Sequence, residues 1–581
     1  MVSNPSLSYA HPYETGERIF GAPVPADALL ARVRMYSWRK SLAQLAELAA
    51  IVANTPDHAK SELVRRLTVD PLRDVSCANE AIRRNAVAAL ANRRNEMVLA
   101  HEEALLFLQH LVILEGLEDG PAPSRSEIAF WLAGANDHIE EAWAEDSSSL
   151  SAGERLAAEM IRASRYNNNP DMLRTFVRTA AIFGTPSPMA PLNDVDLWRE
   201  LQHEAFGMSF TDFFETGPSL ISILAQGWGL DGRLPVVDSA ELGSALASSD
   251  PLASLRWMIG DRQSIVAETR KRMRSNGLPR TPTALLHTPI VEVMPGKHIA
   301  VSPWAMLNQL RTGIWARYLA AAKSSKTKIG VDEWNASFGY MVEGWCGRVA
   351  RAAKASPACS ATILIPSHPG ARDEIEDVVV IEGRNAILFS VKSRLVEAKV
   401  SREALSPAVT LAWFDEFFFA PKKGKFRPGA AALLSARIDK LRAGEFERFG
   451  AQRDLRVYPV IVTYDSLGEN DLWYRQFEKE CGRRSILQQT DVGPLTLARV
   501  NDFEQLMIRA AKGKSISGLL TNRERGDQHR RLDQIIYEVN GPGFADRLPL
   551  FDADFENLTR AIKSRLRGAA GDVPTSDLSV F

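Results

Sequence analysis

Along the first half of the chain, apolar residues recur at helical spacing. MYSWRKSLAQLAELAAIVAN and EEALLFLQHLVIL each place them three and four positions apart, which predicts amphipathic helices. This texture holds over residues 26–165, behind a tail at 1–25 with no such periodicity, which predicts a flexible segment. YNNNPDM, from Tyr166 to Met172, marks a break, because asparagines and a proline favour turns. A second helical region follows over 166–283, interrupted by GTPSPMAPLND. The sequence contains no internal repeat of fixed period.

The pattern changes near residue 284. PIVEVMPGKHIAV alternates like a hairpin turning at Pro295-Gly296. Ser302-Pro303 then supplies an N-cap and a first-turn proline for a helix through Trp315 and Tyr318. KSSKTK, Lys323 to Lys328, reads as a linker closing a segment at 284–327. From 328 to 512 the predicted order is helix, three strands, helices, strand, strand, helix. The first helix carries Phe338, Met341, Val342, Trp345 and Val349 on one stripe. The strands are SATILIP, EDVVVIE and AILFSVK. Ser406-Pro407 opens a helix through FDEFFF, and Leu434, Ile438, Leu441 and Phe449 mark another that Gly450 ends. RVYPVIVTY and PLTLARV are further strands, and Asn501 or Asp502 caps a final helix. A polar extension over 513–581 ends in AAGDVPTSDLSVF, whose composition predicts disorder. The fold class is therefore multidomain, with a mostly α-helical N-terminal half and a mixed α/β C-terminal part.

Bulk properties narrow the function classes. A chain of 581 residues with 45% hydrophobic content can bury several cores. Its net charge of −1 leaves nucleic-acid binding to local patches. Cys77, Cys346, Cys359 and Cys481 form no C-x-x-C pair, which argues against a thiolate zinc site and for a reducing, cytoplasmic setting. The opening residues lack the apolar core of a secretory signal. The most apolar run, Ala104 to Leu114, is too short to span a bilayer and contains Gln109 and His110, so no membrane association is expected.

The most informative segment is DEIEDVVVIEGRNAILFSVKSR, ending at Arg394. It predicts two strands joined by a tight turn, with acids opening the first and a lysine ending the second. In the second strand Leu388, Ser390 and Lys392 share one face, opposite Ile387, Phe389 and Val391. Alternation places Glu376 and Asp377 on opposite faces, so only one joins Lys392. Carboxylates beside an ammonium suit phosphodiester cleavage assisted by a hard divalent cation.

These residues resemble the core of the PD-(D/E)XK nuclease superfamily, the restriction-endonuclease-like fold, over about residues 330–510. That family carries an acid on the second strand and (D/E)-x-K on the third, within an αβββαβ core. Glu374-Ile375-Glu376 before VVV is also similar to its nuclease-related branch, which aligns Glu376 as the ligand; distance to the lysine fits Asp377 as well. The resemblance implies Mg²⁺- or Mn²⁺-dependent cleavage of DNA, as in a restriction or phage-defence effector. Lys392 would be catalytic, with Asp377 or Glu376 on the metal, assisted by the Val391 carbonyl and by Glu343 of the first helix. Ser390 stands where the family has Asp or Glu, which removes one carboxylate; Glu343, then Glu397 and Glu403, are the candidate replacements.

Other segments carry weaker signals. Gly513-Lys514-Ser515 lacks the upstream glycine of a phosphate-binding loop, where Ile508 stands. His58-Ala59-Lys60 lacks its later aspartate, since Arg65 occupies that place, and His287 is a lone histidine near a turn. Lys422, Lys423, Lys425 and Arg427 form a basic loop suited to a phosphate backbone or simply to water. Two rival readings stand beside the nuclease. One is a catalytically dead, nucleic-acid-binding scaffold. The other is a structural or regulatory protein whose helical half binds a protein partner or a second copy.

Overall fold

The computed structural model describes residues 15–54, 65–75, 80–92, 100–146, 172–214, 236–240, 252–271, 273–279, 283–325, 329–366, 375–393, 407–419, 429–447, 453–464, 471–489, 491–526 and 532–540, with isolated residues 217, 243, 250, 556 and 560. The chain forms two compact units that interleave along the sequence. One comprises 1–148, 206–317 and 559–581; the other comprises 149–205 and 318–558.

The first unit is a helical assembly around a small mixed sheet. Its buried helix Glu102–Glu115 contains the apolar run noted above. Gln109 and His110 are accommodated there because their polar atoms find partners. Gln109 Nε2 donates to the Val301 carbonyl at 2.7 Å. His110 Nδ1 lies 3.0 Å from the Leu106 carbonyl, and its Nε2 accepts from the Leu285 amide at 3.1 Å. That pair of contacts fixes a neutral ring protonated on Nδ1. The sheet joins β1 (Val236–Asp238), β2 (Ile259–Asp261), β3 (Ile290–Met294) and β4 (Lys297–Ala300) in the order β1-β4-β3-β2. The β3–β4 hairpin turns at Pro295-Gly296, where Gly296 takes a φ of 75° that a side chain would disfavour. Ser302 caps the next helix by accepting from the Ala305 amide at 3.1 Å, with Pro303 in its first turn. The strands β1 and β2 correct the purely helical reading of 166–283. Each is only three residues long and gains its strand character from the hairpin: β1 pairs antiparallel with β4, β2 parallel with β3.

The second unit contains a five-stranded sheet of β5 (Thr362–Leu364), β6 (Val378–Glu382), β7 (Asn385–Lys392), β8 (Arg456–Thr463) and β9 (Thr496–Arg499), in that spatial order. The first three form an antiparallel meander; β8 and β9 add parallel to β7 and to each other. Helices flank both faces: α1 (Met172–Phe183), α2 (Val331–Lys354), α3 (Pro407–Phe418), α4 (Ala430–Arg442), α5 (Asp471–Arg483), α6 (Val500–Ala511) and α7 (Ile516–Arg525). The predicted stripe of α2 is buried throughout, from Phe338 to Val349. One sheet face carries Phe389, which meets Phe503 of α6 edge-on at 5.1 Å. The other carries Leu388, Val457 and Ile461 against Phe418 of α3, Leu434 and Ile438 of α4 and Phe477 of α5.

Local chemistry sets several boundaries. The β6–β7 turn uses Gly383 at φ 59°. Helix α4 ends at Arg442, before Gly444 at φ 81°, and therefore earlier than Gly450; Phe449 and Gly450 lie outside the described residues. Asp502 caps α6 from within its first turn, accepting from the Arg499 amide at 2.9 Å. Helix α6 is not the last: α7 and Leu532–Asn540 follow it. Helix α1, from the N-terminal half of the sequence, is tied to α6 by a buried ion pair. Arg178 Nε and Nη2 donate to the two Glu504 oxygens at 2.7 and 2.8 Å, and Trp345 Nε1 adds a donor at 2.9 Å. Losing one partner of such a pair costs about 3–5 kcal/mol, because the other charge is stranded without water.

Candidate functional site

Strand β6 begins at Val378, one residue after the predicted acids. Ile375, Glu376 and Asp377 form a bend. Ile375 anchors the bend by burying its side chain in the same core as Leu388 and Val457. Strand alternation therefore does not govern the two carboxylates. Their positions follow the bend rather than the pleat of a strand.

Asp377 Oδ2 accepts from the Val391 amide at 2.5 Å, which ties the bend to the end of β7. Lys392 Nζ donates to the Val391 carbonyl at 3.1 Å, and makes no direct ion pair with either acid among the described residues. Glu376 is buried, and Asp377 keeps some exposure. Burial, and then the charge of Asp377, push the Glu376 carboxyl up to about 7; Lys392, Ser390 and Arg437 pull the other way. Burial likewise raises Asp377, opposed by Lys392, the Val391 amide and Arg437. The Ser390 hydroxyl lies near enough to favour the ionised Glu376, yet its fully buried oxygen makes no hydrogen bond of normal geometry.

Arg437, on α4, was not visible to motif reasoning. Its Nε lies 3.9 Å from Glu376 Oε2. The available signal was its place on the predicted helix, three residues after Leu434 and beside Ile438, at the edge of the apolar stripe.

Glu343 is half-buried on α2. Helical spacing puts Gly339, Glu343 and Cys346 on one strip. A methyl group on Gly339 would sit 3.3 Å from Ser393 Oγ, so this strip runs past the end of β7. Cys346, on the same helix, is fully buried, and burial, then Glu504 and Asp377, hold its thiol well above the usual range. Among the described residues, no three His, Cys, Asp or Glu side chains gather closely enough to hold a metal ion. Glu343 is thus near the acids without joining them in one cluster. Glu397, Glu403 and the basic residues Lys422, Lys423, Lys425 and Arg427 lie outside the described residues.

Glu376 and Asp377 supply hard oxygen donors of the kind a divalent cation takes. The charge of Asp377 raises the proton affinity of Glu376, so a positive charge near the pair is favoured. The buried Ser390 hydroxyl is a neutral oxygen beside them, whereas the Val391 carbonyl is taken by the Lys392 ammonium. Magnesium accepts one or two carboxylates and fills its remaining positions with water.

The phosphate-loop-like Gly513-Lys514-Ser515 is occupied by the protein itself. The Glu382 carboxylate accepts from the Ile516 and Ser517 amides at 2.9 and 2.8 Å, at the N-terminus of α7. Among the described residues, no helix is long and apolar enough to cross a membrane. Comparison with family models and with curated proteins finds no match for this chain.

Proposed function

We propose that the second unit is a divalent-metal-dependent nuclease of the restriction-endonuclease-like kind, acting on DNA. One observation carries the reading: Asp377 Oδ2 accepts from the Val391 amide at 2.5 Å, which brings the acidic bend to the end of β7, where Lys392 stands. The element order supports it. A helix, an antiparallel three-stranded meander, two helices and a strand parallel to the third follow one another as that core requires.

Glu376 and Asp377 would hold Mg²⁺ or Mn²⁺, with water in the remaining positions. The bound ion supplies Lewis-acid polarisation of the phosphate and a more acidic water. Lys392, pinned by the Val391 carbonyl, is placed to orient the attacking water and to offset charge developing on the phosphate. Asp377 fixes the geometry by holding the Val391 amide.

The test is nicking of supercoiled plasmid by purified protein with Mg²⁺ or Mn²⁺. Lys392→Met and Asp377→Asn should each lower the rate by roughly 100-fold or more, as loss of a key electrostatic group does. Cleavage that survives both substitutions sinks the assignment.

A second reading, a catalytically dead scaffold that binds nucleic acid, rests on Ser390, which brings a neutral hydroxyl where the family has a carboxylate. It takes over if wild-type protein binds duplex DNA but never cuts it.

A further inference from the structure

Helices α2 and α6 run parallel and end side by side. Along α2, the Trp345 indole donates to Glu504 of α6 at 2.9 Å. Just past the end of α2, the Ser356 hydroxyl donates to the Ala511 carbonyl at 2.6 Å. Gly513 follows α6 at a φ of 68°, and a methyl group there would lie 2.7 Å from the Ala358 carbonyl. The side chains leaving both helix ends therefore share one corner of the second unit.

Glu382 fixes where that corner lies. By accepting from the Ile516 and Ser517 amides, it ties the α6–α7 turn to the β6–β7 turn. Lys392 closes the opposite end of β7, about 23 Å away at ~3.3 Å per residue.

The corner is cationic. Arg348, Arg351 and Lys354 are exposed on α2, and Lys512 and Lys514 are exposed between α6 and α7. Residues 344–372 and 505–523 contain no Asp or Glu. Glu382 reaches this turn, but both its oxygens are taken by amides. In a chain of net charge −1 this is a local excess. Cations complement the carbonyl ends of helices, which accounts for Lys354 and Lys512. That effect fades within the last turn, so it calls for neither Arg348, further back, nor Lys514, beyond the end.

The excess points to an anionic partner, and the absence of apolar anchors narrows its kind. None of the exposed large apolar side chains among the described residues falls within 344–362 or 505–526. A protein partner is gripped through aromatic or apolar anchors, and a membrane surface takes up the apolar face of a helix. A phosphate backbone needs neither, because lysines and arginines that release its counterions supply the affinity. We propose that this corner binds the phosphate backbone of nucleic acid, at a place remote from Lys392 and whether or not that site is catalytic.

The experiment uses the full chain and a fluorescent duplex DNA, followed by anisotropy in EDTA across a salt series. A variant carrying Lys354→Gln, Lys512→Gln and Lys514→Gln should bind more weakly. It should also flatten the slope of log affinity against log salt by about 2.7, at ~0.9 per lost phosphate contact. Between about 50 and 200 mM salt, wild type should then lose roughly 40-fold more affinity than the variant. Arg348→Gln with Arg351→Gln, expected to flatten the slope by about 1.8, replaces the triple variant should that one unfold. A control carrying Arg199→Gln, Arg256→Gln and Lys271→Gln removes the same charge from exposed positions elsewhere and should keep the wild-type slope. An unchanged slope in a folded corner variant overturns the proposal, and so does a control that flattens it equally. Displacement of the duplex by poly-glutamate as readily as by unlabelled duplex, or vesicle binding lost in the corner variant while duplex binding persists, hands the surface to an acidic protein or to a membrane. EDTA keeps cleavage out of the assay, so the plasmid test decides the nuclease reading separately.

Discussion

Glu376→Gln tests the electrostatics of the site without requiring catalysis. In the folded protein the Glu376 carboxyl is pushed up from its ordinary 4.5 to about 7, chiefly by burial and then by Asp377. The unfolded chain has no such burden. Between those values the folded state holds a proton that the unfolded state has released. Stability therefore falls as pH rises from 4.5 to about 7, then levels off. A rise of this size corresponds to about 3 kcal/mol. Glutamine keeps the shape and cannot ionise, so the variant escapes that loss. At about pH 4, below both values, the two proteins should be equally stable within ~0.5 kcal/mol. At about pH 8 the variant should be more stable by ~2–3 kcal/mol. Hydrogen exchange of peptides covering β6 and β7, at both pH values, reads this locally. A variant that is less stable at the higher pH, or that differs from wild type equally at both, refutes the reasoning.

Further expectations follow from the same contacts. Ser390→Asp places a third carboxylate in a fully buried position; it should lower stability without metal, by ~2 kcal/mol or more, and should gain more thermal protection from Mg²⁺ than wild type does. No differential protection would remove Ser390 from the ligand set. Glu504→Gln strands Arg178 and should destabilise the second unit by about 3–5 kcal/mol in urea titration; an effect below 1 kcal/mol would mean water reaches that pair. His110, whose burial pushes its pKa down to about 4, should stay neutral while the unfolded chain protonates near 6.5, so its share of stability is lost as pH falls from 6.5 towards 4. Ring NMR signals from His110 that titrate near 6.5 would contradict its placement.

Much of the C-terminal fold was legible because local pattern and tertiary role agree there. The stripe from Phe338 to Val349, the hairpin at Pro295-Gly296 and the strand ending at Lys392 each bury the residues their periodicity marks. The short strands β1 and β2 were illegible, because three residues carry no period and their pairing partners lie far along the chain. At the site, alternation describes β7, which includes Ser390, but does not reach Glu376 and Asp377. Alternation holds only within a strand, and these two residues form the bend before one. Arg437 was missed for a different reason. Its significance lies in a contact across 61 positions, on a helix whose own pattern explains it adequately as a rim residue.

The ion pair between Arg178 and Glu504 has a consequence for how this protein can be divided. A fragment beginning after residue 317 would hold every strand of the five-stranded sheet yet lack the helix Met172–Phe183. Glu504 would then keep the Trp345 indole as a donor and lose its counter-charge, in a place the intact protein seals from water. Such a fragment begins with a deficit comparable to a large part of a typical domain's stability. Transplanting the region of the five-stranded sheet into another polypeptide therefore requires residues 149–205 to travel with it, joined by a new connection that replaces 206–317.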